Sequence, residues 1–203
     1  MSKRWLEEHF SDPYVKRAQE MGYPSRAAFK LLDLQEKDHF LKSGMSVVDL
    51  GAAPGGWSMV AQKIVGEKGH VFALDLLPMD PMTGVTFIQG DFREDAVLEQ
   101  LLLALDGRPV NAVISDMAPN ISGQKSVDQP RSVHLVELAW DCAQQILQPG
   151  GTFLAKIFQG EGVDDLVREL KKHFKAVKLR KPKSSRPRSP EFYILGIGFQ
   201  AGK

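Results

Sequence analysis

Among 203 residues there is one cysteine, Cys142, so an internal disulfide is excluded and the fold must hold without cross-links. Histidine is sparse as well: the five at positions 9, 39, 70, 134 and 173 stand at spacings that suit no zinc site, and no metal is expected. No apolar run approaches the roughly 18 residues that a bilayer crossing needs. The opening Met-Ser-Lys-Arg-Trp-Leu-Glu-Glu-His-Phe lacks the apolar stretch of a secretory signal. The expected setting is cytoplasmic, with no membrane partner. An excess of either charge is missing too, since 26 basic and 25 acidic side chains nearly cancel, and an apolar share of 43% excludes a disordered tail protein. At roughly 100 to 200 residues per domain the length suits a single domain, 1–203.

The near-neutral total conceals a segregation of charge. From Arg168 to Arg188 ten basic side chains stand against Glu169 alone, and a smaller basic group, Lys3, Arg4, Lys16, Arg17, Arg26 and Lys30, lies near the start. Such patches predict contacts with RNA phosphates.

Five short, apolar, partly β-branched runs, 46–50, 70–75, 85–89, 110–115 and 152–158, read as buried strands. Between them, 56–65, 94–105, 129–147 and 162–174 have helical spacing. This alternation predicts an α/β fold with a mostly parallel sheet and helices on both faces. Ser11-Asp12-Pro13 and Ser25 mark the starts of two further helices, which gives an N-terminal helical region over 1–40, a core over 44–160 and a basic C-terminal region over 161–203. Within that C-terminal region the β-like runs 176–180 and 191–199 bring the strands to seven. The proline- and serine-rich stretch from Lys181 to Pro190 between them has the composition of an exposed loop.

Open α/β sheets bind ligands at the carboxyl ends of their strands, and here those ends carry charge. Strand one holds Asp49 and runs into Gly51-Ala-Ala-Pro-Gly-Gly-Trp57; the next three end at Asp75, Gly90-Asp91 and Asp116; the fifth contains Lys156. The glycine turn departs from the G-x-G-x-x-G spacing of dinucleotide sites, and clustered carboxylates would repel a pyrophosphate. They suit instead a cation that carries hydroxyls. S-adenosylmethionine has a sulfonium, a ribose for Asp75 and an adenine amine for Asp91.

The segments Val48-Asp-Leu-Gly-Ala-Ala-Pro-Gly-Gly-Trp-Ser58, Leu74-Asp-Leu-Leu-Pro-Met-Asp-Pro81, Gln89-Gly-Asp-Phe-Arg93, Ser115-Asp-Met-Ala-Pro-Asn120 and Lys156-Ile-Phe-Gln-Gly160, in that order, closely resemble the FtsJ/RrmJ ribosomal RNA methyltransferases. The likeness runs from Arg4-Trp5 to the final strand. It implies a Rossmann-like S-adenosylmethionine-dependent methyltransferase fold and 2′-O-ribose methylation of a uridine in the aminoacyl-tRNA-binding loop of 23S rRNA, within the assembled 50S subunit. It further implies a monomer and S-adenosylhomocysteine as product. The family's catalytic Lys-Asp-Lys-Glu set corresponds to Lys30, Asp116, Lys156 and Glu191, and its cofactor positions to Gly55, Trp57, Asp75, Asp91 and Asp116. One departure is the short leader before Arg4, where some relatives carry a longer basic tail. A transfer RNA or messenger RNA cap 2′-O-methyltransferase would use the same four residues. A nicotinamide oxidoreductase is disfavoured by the glycine spacing and by the lack of a Tyr-x-x-x-Lys pair.

Methyl transfer from a sulfonium needs a competent oxygen nucleophile and no metal. Lys156 is the candidate to provide it, since a lysine in a central apolar strand is costly without a purpose. Bringing an ordinary lysine to half-neutral at pH 7 takes ~4 kcal/mol, so two roles stay open, a true base or a protonated group that orients the hydroxyl. Trp57 serves as well for packing as for cofactor contact, and Met79 and Met82 for loop packing as for the edge of an adenine site. The pair His134 and Glu137 reads as a solvated helix face.

Overall fold

Each of the five runs becomes a strand: β1 (Ser46–Leu50), β2 (His70–Asp75), β3 (Val85–Gln89), β4 (Val110–Ser115) and β5 (Leu147–Phe158). The computed structural model describes residues 12–201, so the readings placed on Lys3, Arg4 and Trp5 lie outside the described residues. With β6 (Phe174–Arg180) and β7 (Glu191–Phe199) the strands form one seven-stranded sheet in the order β3-β2-β1-β4-β5-β7-β6. The first five are parallel, and β7 lies antiparallel between β5 and β6. Helices α1 (Pro13–Glu20), α2 (Ala28–Asp38), α3 (Gly56–Val65), α4 (Asp95–Leu105), α5 (Lys125–Ile146) and α6 (Val163–His173) cover both faces. None of the described helices is long and apolar enough to cross a membrane.

Successive strand residues point to opposite faces, and the two cores follow that alternation. Val47, Ile114, Leu154 and Tyr193 pack with Leu31 and Leu34 of α2 and with Trp57 and Val60 of α3. Val48, Val113, Phe153 and Ile157 pack with Leu101 of α4, Trp140 of α5 and Leu170 of α6. Both faces being covered, β1 is buried at every position, which is why its sequence is continuously apolar apart from Ser46 and Asp49. The Trp140 ring centres the second core, 5.5, 5.2 and 5.8 Å from the rings of Phe153, Phe174 and Phe199.

Three features differ from the sequence reading. Helix α5 begins one turn ahead of Pro130, because the Asp128 carboxylate takes hydrogen bonds from the Ser122 amide and hydroxyl and from the Gly123 amide and so organises the chain before the proline. The stretch from Lys181 to Pro190 is exposed only in part: Lys181, Lys183, Pro187, Arg188 and Pro190 are exposed, but Pro182, Ser184 and Ser185 are buried against α2, with Ser184 N donating to Asp33 Oδ2 (2.7 Å) and Arg26 donating to Ser184 O (2.5 Å). The basic run is divided. Helix α6 leads away from the carboxyl ends of the parallel strands, so Lys171, Lys172 and Lys175 lie at the opposite end of the sheet from them. Within the run Arg168 pairs with Asp165, Lys172 with Glu169, Lys183 with Glu36 and Arg186 with Asp12. Lys181, Lys183, Arg186 and Arg188 stand beyond β6, in the segment that leads to Glu191.

Asp38 ties α2 to the edge strand. Its side chain is 2% exposed and accepts from Lys178 Nζ (3.0 Å) and Arg180 Nε (2.7 Å). The Arg180 hydrogen bond holds the carboxyl down at about 2, against an opposing effect of burial. A depressed carboxyl stabilises the fold above its unfolded value of 3.8, and that contribution is lost as pH falls toward about 2. Asp38→Asn is therefore expected to cost about 2 kcal/mol in urea unfolding at pH 7, with the difference from wild type shrinking below pH ~4. An equal difference at pH 7 and pH 3 would contradict this.

Candidate active site

At the carboxyl ends of β1, β2, β3 and β4 the predicted carboxylates converge on a cavity of about 550 Å³, lined by Gly51, Ala53, Asp75, Asp91, Asp116 and Met117 among others. Gly51, at the end of β1, has φ 73°, and a Cβ there would stand 2.2 Å from Met117 Cγ, so only glycine lets the two loops approach this closely. Each oxygen of Asp75 takes one backbone N–H, from Ala53 (2.8 Å) and from Leu77 (2.8 Å). The carboxylate is thereby fixed, with lone pairs left for a ligand's hydroxyls. Asp91 receives Arg93 Nε on both oxygens (2.8 and 2.9 Å), and that hydrogen bond holds its carboxyl below the usual range.

Asp49 lies beneath this floor, 1% exposed. Its Oδ2 accepts from Ser58 Oγ (2.6 Å), while Oδ1 is buried with no partner in the protein. Burial, with the charges of Asp116 and Asp75 adding to it against the Ser58 hydrogen bond, pushes the carboxyl up to about 7. An orphaned buried acceptor among three acids is a site short of positive charge.

Lys30, Asp116, Lys156 and Glu191 come together from α2, the end of β4, β5 and the start of β7. Lys156 Nζ, on a side chain 8% exposed, lies 3.0 Å from Asp116 Oδ1 and donates to the Asp116 carbonyl at 2.5 Å. Lys30 Nζ meets Glu191 Oε2 at 2.9 Å. Burial alone would raise the Asp116 carboxyl, but Lys156 and Lys30, with a hydrogen bond from Tyr193, hold it below its ordinary value. A second cavity, of about 690 Å³, is lined by Lys156 and Glu191 together with Ala118, Ile121, Phe158 and Pro190. Ala118 lines both cavities.

Two predicted cofactor positions stand in the glycine turn beside the first cavity and are not among its lining residues. Trp57 is buried, donates Nε1 to Ala27 O (2.9 Å) and packs 5.6 Å from the Tyr193 ring, which joins α2, α3 and β7. Gly55 is covered by Met79 and Met82, since a Cβ would stand 2.3 Å from Met82 Cε, and it too is absent from the lining. The sequence reading missed Tyr193, whose hydroxyl donates to Asp116 Oδ1 at 2.6 Å. The signal was available, because Tyr193 lies two residues beyond Glu191 on the same strand face and pairs with Lys156 across β5 and β7. Ser58 and Ser185 were missed as well, with nothing but tertiary contact to reveal them.

Residues 23–199 match the family described as FtsJ-like methyltransferase. The chain is 61% identical over 198 residues, 98% of its length and 95% of the relative's, to ribosomal RNA large subunit methyltransferase E of Alkalilimnicola ehrlichii. Among solved structures it is similar to a Plasmodium falciparum protein described as a ribosomal RNA methyltransferase (TM-score 0.79, 32% identity, 89% of this chain and all of that one). It also shares its fold with Aeropyrum pernix fibrillarin, solved with S-adenosyl-L-methionine natively bound (TM-score 0.56, 16% identity, 86% of this chain and 75% of that one).

The raised Asp49 carboxyl carries a stability signature. Below pH ~4 folded and unfolded chains both hold the proton; as pH rises toward about 7 the unfolded carboxyl has ionised and the buried one resists, so stability falls. Asp49→Asn is expected to be neutral at pH 4 and to raise the unfolding free energy at pH 8, by roughly 4 kcal/mol at most. Equal effects in urea melts at the two pH values would show that Asp49 is not held protonated.

Proposed function

The chain belongs to the FtsJ-like methyltransferase family, and on that footing we propose that it methylates a ribose 2′-hydroxyl of large-subunit ribosomal RNA with S-adenosylmethionine. The target under this reading is a uridine in the aminoacyl-tRNA-binding loop of 23S rRNA, presented by the assembled 50S subunit. The observation that carries it is the Lys156 and Asp116 pair between two cavities, Asp116 lining the acid-floored one and Lys156 the other.

S-adenosylmethionine supplies, when bound, a methyl group on a sulfonium, and S-adenosylhomocysteine remains once the methyl has passed to a nucleophile. The first cavity fits such a cation in charge, since Asp75, Asp91 and Asp116 line it. Asp75 is assigned to the ribose hydroxyls, Asp91 to the adenine amine, and the Asp116 carboxylate to the field that favours positive charge. The second cavity offers Phe158, Ile121 and Pro190 to an unstacked nucleoside beside Lys156. Lys125 and the basic side chains from Lys181 to Arg188 are assigned to RNA phosphates.

The Lys156 ammonium gives two of its three N–H bonds to Asp116 and keeps one for a ligand in the second cavity. This favours orientation of the 2′-hydroxyl and stabilisation of charge developing on its oxygen over proton abstraction. Asp116 fixes the lysine and is itself fixed by Tyr193. Lys30 and Glu191 form the flanking pair that sets the charge balance.

Lys156→Ala is expected to lower the single-turnover rate of methyl transfer to large subunits from cells lacking the protein by at least about 10², with cofactor affinity retained. Lys156→Arg, which stays protonated, is expected to keep some of the activity. An arginine variant as inactive as the alanine one, with a wild-type rate that climbs from pH 6 to 9, would assign Lys156 as the base instead. Asp75→Ala is expected to weaken cofactor binding by about 1.5 to 3 kcal/mol per lost hydrogen bond in titration calorimetry. Unchanged affinity would remove Asp75 from the site.

A further inference from the structure

Glu191 is the first residue of β7 and follows Pro190, a place where the strand gives its long side chain no hold. Yet both of its oxygens are engaged: Oε2 takes Lys30 Nζ at 2.9 Å, and Oε1 takes Ser185 Oγ at 2.8 Å. A carboxylate can only accept, so the Ser185 hydroxyl is the donor. We propose that Ser185 is a positioning residue for methyl transfer, its hydroxyl fixing the Glu191 carboxylate and, through it, the place of Lys30 beside Asp116 and Lys156. The proposal rests on the reading of these four residues as the catalytic set.

The contacts around Ser185 form a closed ring. Asp33 stands one helical turn beyond Lys30 on α2, and its carboxylate binds the amide of Ser184 at 2.7 Å. Arg26 holds the Ser184 carbonyl at 2.5 Å and is itself paired with Asp12 at 2.7 Å. Ser185, 6% exposed, has its own amide bonded to Pro182 O (3.1 Å). One helix therefore presents Lys30 to one Glu191 oxygen and anchors the loop that presents Ser185 to the other. The separation between Lys30 and Glu191 is set by the fold on both sides instead of by two flexible side chains finding each other.

This division of labour makes the role testable. The loop is anchored through the backbone of Ser184, which a change at Ser185 leaves in place, so Ser185→Ala releases the Glu191 carboxylate and little else. The expected result with large subunits as substrate is a fall in kcat of about tenfold, with KM for S-adenosylmethionine unchanged and a melting temperature within a few degrees of wild type. Ser185→Thr, which keeps the hydroxyl, is expected to restore the rate. In a Glu191→Gln background Ser185→Ala should add almost nothing, since its effect passes through the carboxylate. Wild-type kcat in Ser185→Ala, or a full further tenfold loss on top of Glu191→Gln, would overturn the proposal. Wild-type activity in Glu191→Gln alone is a separate outcome that would overturn the reading of the catalytic set, and this proposal with it.

Discussion

Lys156 stands in the interior of β5 between Ala155 and Ile157, which are 1% exposed, and a lone ammonium there would cost several kcal/mol. Asp116 removes that cost by offering both its carbonyl and its carboxylate at the neighbouring strand end, and the rest of the site is arranged around the pair. Tyr193, wholly buried, spends its hydroxyl on the same carboxylate; burial and the charges of Asp116 and Glu191 push its phenol well above the ordinary range, so it remains a donor. Lys30 adds a second positive charge within reach of Asp116, and Glu191 offsets it. Removing Asp116 or Lys156 leaves the other as a buried charge without its partner.

The fold serves the pair by bringing four distant segments to one end of the sheet. Parallel strands β4 and β5 deliver Asp116 and Lys156 directly. The antiparallel return of β7 is what brings Glu191 and Tyr193 in, because a seventh strand running parallel would have placed its start at the far end. Helix α2 then has to be locked to that returning segment, and two devices do so. Asp38 grips Lys178 and Arg180 on β6, while Asp33 and Arg26 grip the buried serines of the connecting loop. Lys178, Arg180 and Arg186 of the basic C-terminal region are thus engaged with the buried carboxylates of Asp38 and Asp12.

What the sequence disclosed follows from the kind of signal each feature leaves. Strands β1, β2 and β4 were legible to the residue because buried parallel strands are short apolar runs cut off by glycine or charge. Strand β3 was placed as well, but as the edge strand it buries only Ile88 and is not the buried strand its sequence suggested. The strand-end acids Asp75, Asp91 and Asp116 were legible because the fold class dictates where its strands point. The start of α5 was misjudged because Pro130 reads as a first-turn residue, whereas Asp128 sustains a turn ahead of it. Trp57 and Gly55 were placed in the glycine turn by their motif, but the indole hydrogen bond to Ala27 and the cover of Met79 and Met82 over Gly55 are tertiary contacts that motif spacing does not encode. The burial of Ser184 and Ser185 was illegible in a stretch whose composition is that of a surface loop, since it arises from partners more than 150 residues away in sequence.

The proposed methylation of ribose in the large ribosomal subunit depends on these residues acting together. It is tested most directly by mass-spectrometric mapping of 2′-O-methylation in large-subunit RNA from cells lacking the protein, complemented with the wild type or with Asp116→Asn. The account predicts one ribose methylation, on a uridine, that disappears on deletion, returns with the wild type and stays absent with the variant. An unchanged methylation map on deletion, or full restoration by Asp116→Asn, would contradict it.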